Sequence, residues 1–297
     1  MYIDLFGSSD YLGGNIGDIT AQLLHSIHDK MYIKYTRDRL RVYHPYNQSY
    51  NSTIFMQTLF DIIDEHNKTI EVNDDTFKKY IDLASPGHFE IFSKALLKIQ
   101  CDFFSYFKKN LYKQDFKENF LYRSKVRGYD VPFDPKKTIL VHLRLFDVKN
   151  RPDYDGRVCT NFFKNHIASG LFADEETNRQ LKIHHPNTNC QAPLNFDKIQ
   201  TVINKIKQYK PDHEVILITN PGENLSHLPY RVISHTDESH DLFLLCSCET
   251  VILSRSQFAL MSLLFGIAND IHIPLWGHLP CYGLYTKYDK NSFNYFY

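Results

Sequence analysis

Short apolar runs alternate with amphipathic segments through the second half of the chain. The apolar runs have the length of strands and lie at 139–142, 214–220, 232–233, 250–254 and 270–276. The segments between them favour helices near Asp197–Tyr209, near Ser239–Cys246 and from Gln257 to Ala268. Strands that alternate with helices are typical of βαβ units, so the pattern predicts a parallel sheet.

The first half opens with a predicted strand at Tyr2–Phe6, a glycine-containing loop and a helix. The helix has apolar residues at helical spacing, namely Ile19, Leu23, Leu24 and Ile27. This order resembles the first unit of a Rossmann-like domain, although the loop does not fit the G-x-G-x-x-G fingerprint of dinucleotide sites. Gly14 of this loop is a candidate ligand contact. Further helices are predicted around Ile54–Glu65 and after Ser85.

A polar stretch at 113–137 separates the two halves and contains Gly128, Pro132 and Pro135. We therefore predict an α/β protein with two Rossmann-like domains, 1–134 and 135–297, that face each other across a cleft. The aromatic tail at 285–297 is expected to pack back on the first domain.

Composition narrows the classes of function. The 297 residues include 34 Lys and Arg against 34 Asp and Glu, so no net charge favours binding to nucleic acid. No cationic leader and no apolar run of 18 residues occurs, which predicts a soluble protein without a membrane span. Cys246 and Cys248 lie in an apolar stretch and fit core thiols of a reducing compartment, so we expect a cytoplasmic protein.

Polar side chains lie at the carboxyl ends of three of the predicted strands. They form three groups: His142 and Arg144, Thr219 and Asn220, and the run Ser254–Gln257. Ligands of open α/β sheets bind at the carboxyl ends of the strands. The third group also opens a helix, whose N-terminus suits a phosphate, although the serines could serve only as helix caps. Since an arginine binds phosphate in a bidentate manner, we predict a nucleoside diphosphate between Arg144 and the Ser254–Gln257 turn.

Two of these stretches resemble a known family. The stretch "VHLRLFD" resembles the H-x-R-(R)-x-D motif of fucosyltransferases with the GT-B fold, and "DESHDLFLLCSCETVILSRSQFALMSLLFG" is similar to their later signature. The segment "LGGNIGDITAQLLHSI" loosely resembles their N-terminal glycine loop and helix. The family usually has two consecutive arginines, whereas Leu145 follows Arg144 in this chain.

The resemblance implies a GT-B-like fold and an inverting, metal-independent glycosyltransferase. Its donor would be a nucleoside-diphosphate sugar, with GDP-fucose favoured, and its acceptor a hydroxyl of an oligosaccharide or glycoprotein. It implies that His142 and Arg144 contact the diphosphate, that Asp241 binds the nucleoside, and that Ser254, Ser256 and Gln257 hold phosphate or ribose. Two alternatives stay open: a UDP-sugar (xylosyl or glucosyl) transferase of the same fold, and a catalytically silent sugar-binding protein.

The acceptor hydroxyl needs a base, because its proton must leave as the new sugar bond forms. In α1,6-fucosyltransferases a carboxylate about eight residues beyond the motif arginine has this role, and Asp153 lies nine residues beyond Arg144. Asp155 is the second candidate and Asp18 the third. Asp153 and Asp155 also form an Asp-x-Asp triplet, the metal motif of GT-A transferases. That motif normally ends an apolar strand, so neither a metal site nor a cofactor is predicted.

Overall fold

A computed structural model describes residues 1–4, 19, 22–23, 25–35, 54–78, 122–145, 193–274 and 293–296. The chain divides into two compact units, Met1–Gly128 with Cys281–Leu284, and Tyr129–Pro280 with Tyr285–Tyr297. The sequence boundary between 134 and 135 falls a few residues after this division, and the two assigned domains stay a prediction.

The first unit contains a pair of parallel strands, β1 (Tyr2–Asp4) and β2 (Tyr32–Lys34), with Ile3 opposite Ile33. Parallel neighbours need a crossover connection, and residues 25–29 between them are helical. Helix α1 (Ile54–Lys68) follows, and its Asn67 side chain bonds to both backbone groups of Ile33, at 2.9 and 2.7 Å. The strand β1 and helix α1 agree with the sequence prediction, whereas β2 was not predicted.

Within the described residues, the second unit contains a parallel sheet of six strands. Its strands are β3 (Thr138–Leu143), β4 (Glu214–Thr219), β5 (Arg231–Ile233), β6 (Thr250–Ile252), β7 (Asp270–Pro274) and β8 (Phe293–Phe296). They lie in the order β5-β4-β3-β6-β7-β8, and every neighbouring pair is parallel. From β3 the chain adds β4 and β5 on one side of the sheet, and it then adds β6, β7 and β8 on the other side of β3, as in Rossmann sheets. The predicted α/β class with a parallel sheet is confirmed.

Helix α2 (Phe196–Tyr209) covers one face of this sheet. Asn195 caps its N-terminus by accepting a hydrogen bond from the Asp197 N–H at 2.8 Å. The buried side chains of α2 pack against the alternate residues of β3 and β4 that point to the same face. The core of this face is formed by Ile139, Val141, Leu143, Ile199, Val202, Ile203, Ile206, Val215, Leu217 and Ile252.

Helices α3 (Glu238–Ser247) and α4 (Gln257–Phe265) pack against each other. The backbone after α4 approaches α3 closely, and the Ile267 N–H donates to the Cys246 carbonyl at 3.0 Å. A Cβ at Gly266 would lie 2.4 Å from the Ser262 carbonyl oxygen and 3.0 Å from the Cys246 Cα. Only glycine fits this approach without a shift of backbone. The helix ends at Phe265, three residues before the predicted end.

The C-terminal tail departs from the sequence expectation. Residues 293–296 form β8 and pair with β7 in the second unit, with Ile271 opposite Phe293 and Ile273 opposite Tyr295. The prediction that the tail packs on the first domain is wrong for these residues, because their backbone groups extend the parallel sheet instead.

A polar cluster lies at the amino end of β7, and we call it the Asp270 cluster. The Lys210 ammonium donates to Asp270 at 2.7 Å and to the Thr250 hydroxyl at 2.6 Å. The Tyr209 hydroxyl donates to Asp270 at 3.2 Å, and the His272 ring nitrogen lies 3.1 Å from it. These bonds join the end of α2 to β6 and β7.

No helix in the described ranges is both long enough and apolar enough to span a membrane.

Candidate functional site

The three predicted polar groups follow strands that end at one edge of the sheet. The register places Leu143 of β3 opposite Thr219 of β4, and Val141 of β3 opposite Ile252 of β6. Because all the strands are parallel, their carboxyl ends meet at the same edge. The strand order reverses between β3 and β6, which is where ligands bind in sheets of this type. We call this position the switch-point edge.

His142 and Ser254 join the two strands that flank the reversal. The Nδ1 atom of His142 lies 2.7 Å from the Ser254 hydroxyl, and His142 is only 9% exposed. The Phe258 ring also lies near His142, with the ring centroids 5.6 Å apart. Burial, together with the charge of Arg144, lowers the pKa of His142 to about 3. The imidazole is therefore neutral at physiological pH and offers one donor and one acceptor.

Arg144 lies just beyond the end of β3 and is partly exposed. Its guanidinium is close enough to His142 to disfavour a second positive charge there. The guanidinium is a permanent cation with planar donors, which suits a diphosphate that approaches this edge.

The serines at the start of α4 do not act as simple helix caps. Ser256 occupies the N-cap position with extended backbone, but its side chain makes no cap hydrogen bond. The hydroxyl of Ser254 contacts His142 instead. Both side chains are buried, at 4% exposure each. A helix N-terminus without a side-chain cap retains the partial positive charge that favours an anion.

Thr219 and Asn220 end β4 at the same edge. The pairing of Thr219 with Leu143 puts Thr219 on the opposite face of the sheet from His142, since neighbouring residues of a strand alternate. The Thr219 hydroxyl is buried, and within the described part of the chain it has no hydrogen-bond partner. The structure therefore does not bring Thr219 and His142 together on one face.

Asp241 lies in the first turn of α3, which begins beyond the carboxyl end of β5. It is 7% exposed, and its Oδ1 lies 2.6 Å from the Nδ1 of His235. Burial raises the pKa of Asp241 to about 6, because a charged carboxylate is poorly solvated there, while His235 opposes this rise. The bond to Asp241 raises the pKa of His235 in turn.

Three aromatic rings form a column beside Asp241. The Tyr129 ring stacks on that of His240 at 4.5 Å and 2°, and His240 stacks on His235 at 3.8 Å and 22°. We call these three residues the ring column. The sequence reasoning did not single them out. The only available signal was a pair of histidines on either side of Asp237, the N-cap of α3.

Several predicted site residues lie outside the described residues. These are Gly14, Asp18, Asp153 and Asp155, together with the side chain of Gln257. Within the described ranges, no group of three or more His, Cys, Asp or Glu side chains is arranged to hold a metal ion.

Comparisons with family models, with curated proteins and with solved structures find no match to this chain. The fold and the edge geometry define an α/β protein with a Rossmann-like parallel sheet.

Proposed function

We propose that this protein is an inverting, metal-independent glycosyltransferase of the GT-B type. It transfers a sugar from a nucleoside-diphosphate donor, with GDP-fucose favoured, to a hydroxyl of a glycan or glycoprotein. The observation that carries the proposal is the 2.7 Å contact between His142 and Ser254, which joins β3 and β6 where the strand order reverses. The resemblance of the two motifs supplies the class of reaction.

The chemistry needs fixed positive groups at the leaving group. The acceptor oxygen forms a bond to the anomeric carbon as the bond from that carbon to the diphosphate breaks. The diphosphate departs with the electron pair, so its negative charge grows in the transition state. Arg144 and the N-terminus of α4 are suited to stabilise that charge. The neutral His142 adds a hydrogen bond without a proton transfer.

The proposed reaction also needs a base. The acceptor proton goes to a carboxylate on the face opposite the diphosphate, and Asp153 is our first choice, before Asp155 and Asp18. Asp153→Asn should leave nucleotide affinity and thermal stability unchanged while turnover is abolished. A variant that retains more than about a tenth of the wild-type kcat would exclude Asp153.

Nucleotide binding is the direct test. We would measure the melting temperature and the Kd with GDP, UDP and other nucleotides in EDTA. A nucleotide present at 100 times its Kd stabilises the folded protein by about 2.7 kcal/mol. Arg144→Ala should weaken binding markedly, since a hydrogen bond to a charged group contributes about 1.5–3 kcal/mol. Arg231→Ala is the matched control, because Arg231 is exposed at the amino end of β5.

The outcomes separate the candidate functions. Transfer of sugar in EDTA supports the proposal, whereas a strict requirement for Mn²⁺ refutes the metal-free reaction. Preference for UDP over GDP would favour a UDP-sugar transferase. Tight nucleotide or sugar binding without transfer to any glycan acceptor would favour a silent binding protein. If no nucleotide binds, the proposal is wrong.

A further inference from the structure

The Asp241 carboxylate is buried in an unusual electrostatic environment. Within the described residues its only cationic partner is an imidazole, that of His235, at 2.6 Å. A buried carboxylate is ordinarily paired with a lysine or arginine, whose charge does not depend on pH in the physiological range. The charge of Asp241 therefore depends on a group that itself gains and loses a proton near neutral pH.

The other two members of the ring column, Tyr129 and His240, help to fix the position of His235. The His240 Nε2 lies 3.1 Å from the Asp130 carbonyl, and because a carbonyl only accepts, this nitrogen must carry a proton. The Tyr129 hydroxyl donates to Asp237, the N-cap of α3. His240, with Tyr129 stacked behind it, thus presents a flat surface to one face of His235. The edge of the His235 ring is held by the contact of its Nδ1 with Asp241 at 2.6 Å.

We propose that His235 is a positioning residue that acts through Asp241, orienting its carboxylate and keeping it ionised, so that a nucleotide and a proton compete for the site. This inference rests on the proposed function, together with the nucleoside-binding role that the family resemblance implies for Asp241. An ionised carboxylate accepts hydrogen bonds from the N–H groups of a base, whereas a protonated one offers fewer acceptors.

The surrounding charges determine the direction of the pH effect. Burial raises the pKa of Asp241, and Glu238 adds to this rise, while His235 opposes it. The hydrogen bond to Asp241 raises the pKa of His235, and the charges of Asp130 and Asp237 add to this rise. Burial and the charge of His235 lower the pKa of His240. Loss of the His235 bond would therefore raise the pKa of Asp241 further, and Asp241 would become protonated at a higher pH.

The test is the Kd of the nucleotide as a function of pH, with GDP and UDP as the probes. For the wild type we expect a Kd that changes little between pH 7 and pH 6.5, and then about a fivefold weakening from pH 6 to pH 5 as the ionised fraction of Asp241 falls. His235→Phe keeps a flat ring against His240 but loses the donor. The His235→Phe variant should bind nucleotide at least about tenfold more weakly at pH 7. The decrease of affinity at low pH, which we call the acid limb, should begin above pH 6 in this variant.

Two further variants separate positioning from structure. His235→Asn can place an amide donor near the position of Nδ1 and should restore most of the affinity at pH 7. His213→Ala is the matched control, because this histidine precedes β4 at the opposite edge of the sheet, and its pH profile should equal that of the wild type. Asp241→Asn should bind weakly and lose the acid limb.

The two proposals fail in different ways. If neither nucleotide binds to the wild type, the proposed function is wrong and this inference falls with it. If a nucleotide binds and His235→Phe has the wild-type Kd and pH profile, His235 is only structural and this inference alone is overturned. Retention of the acid limb in Asp241→Asn would overturn it as well, since the titrating group would then lie elsewhere.

Discussion

Replacement of Asp270 by asparagine should test how strongly the Asp270 cluster holds the second unit together. The substitution keeps the shape of the side chain but removes its charge, so the Lys210 ammonium loses its ionic partner while its bond to the Thr250 hydroxyl remains. The side chains of Lys210 and Asp270 are 23% and 14% exposed. Removal of one partner costs about 3–5 kcal/mol in a fully buried pair and about 0–1 kcal/mol in an exposed one. We therefore expect a loss of about 2–3 kcal/mol.

Thermal unfolding at pH 7 measures this loss directly. For a unit of this size, 2–3 kcal/mol corresponds to a decrease of about 4–12 °C in Tm. Lys210 and His272 hold the pKa of Asp270 well below its usual range. The stabilisation is therefore complete above the ordinary carboxyl pKa and decreases as the pH falls below about 4. The difference between wild type and variant should shrink by about 1 kcal/mol from pH 4 to pH 3.

Two controls make the result decisive. Glu65→Gln removes the partner of Lys68 in an ion pair whose side chains are 72% and 69% exposed, and it should leave Tm unchanged. A double-mutant cycle with Lys210→Met should give a coupling energy of at least about 1 kcal/mol. If Asp270→Asn lowers Tm by no more than Glu65→Gln does, the cluster does not stabilise the fold and the argument from burial is wrong.

Three other changes have defined outcomes. Ser254→Ala should remove the 2.7 Å contact to the Nδ1 of His142 and destabilise the protein by about 1–3 kcal/mol, whereas Ser254→Thr should retain most of the stability. Equal Tm values for the Ser254→Ala variant and the wild type would contradict this. Gly266→Ala should destabilise the protein by about 1–3 kcal/mol in urea unfolding, because the alanine Cβ would clash with the backbone at Ser262 and Cys246. A urea midpoint equal to that of the wild type would show that α3 and α4 can move apart without cost. Arg144→Ala should reduce kcat/KM by about 10²–10³-fold in a transfer assay, and a loss below about threefold would remove Arg144 from the diphosphate site.

The sequence predicted the central elements of the second unit because each has an unambiguous local signal. Strand β3 is apolar on both faces, and α2 has both an N-cap at Asn195 and a regular apolar face. The predictions failed where the signal depends on a neighbour. β2 and β8 are three and four residues long, and their strand character comes from pairing with β1 and β7. The end of α4 is set by its contact with α3 at Gly266.

The candidate site was predictable in part for the same reason. Parallel strands necessarily bring His142 and Ser254 to one edge, although 112 residues separate them. Nothing in the local pattern indicates that His235 would contact Asp241, because their approach depends on how the loop before α3 returns to the helix. The sequence also does not show whether a serine at the start of a helix caps that helix or is available to bind a ligand, because this depends on the orientation of its side chain. Ser256 has the ideal residue type for a cap, yet its side chain makes no cap bond.

Among the described strands, β8 is the outermost strand of the sheet beside β7. It covers β7, whose Ile271 and Ile273 would otherwise lie on an open edge with unpaired backbone groups. Exposed edges of this kind pair with other chains and promote aggregation. β8 itself is four residues long and presents Asn294 to solvent, features that discourage such pairing. Deletion of residues 293–296 would therefore yield a chain that retains every site residue considered above but tends to self-associate.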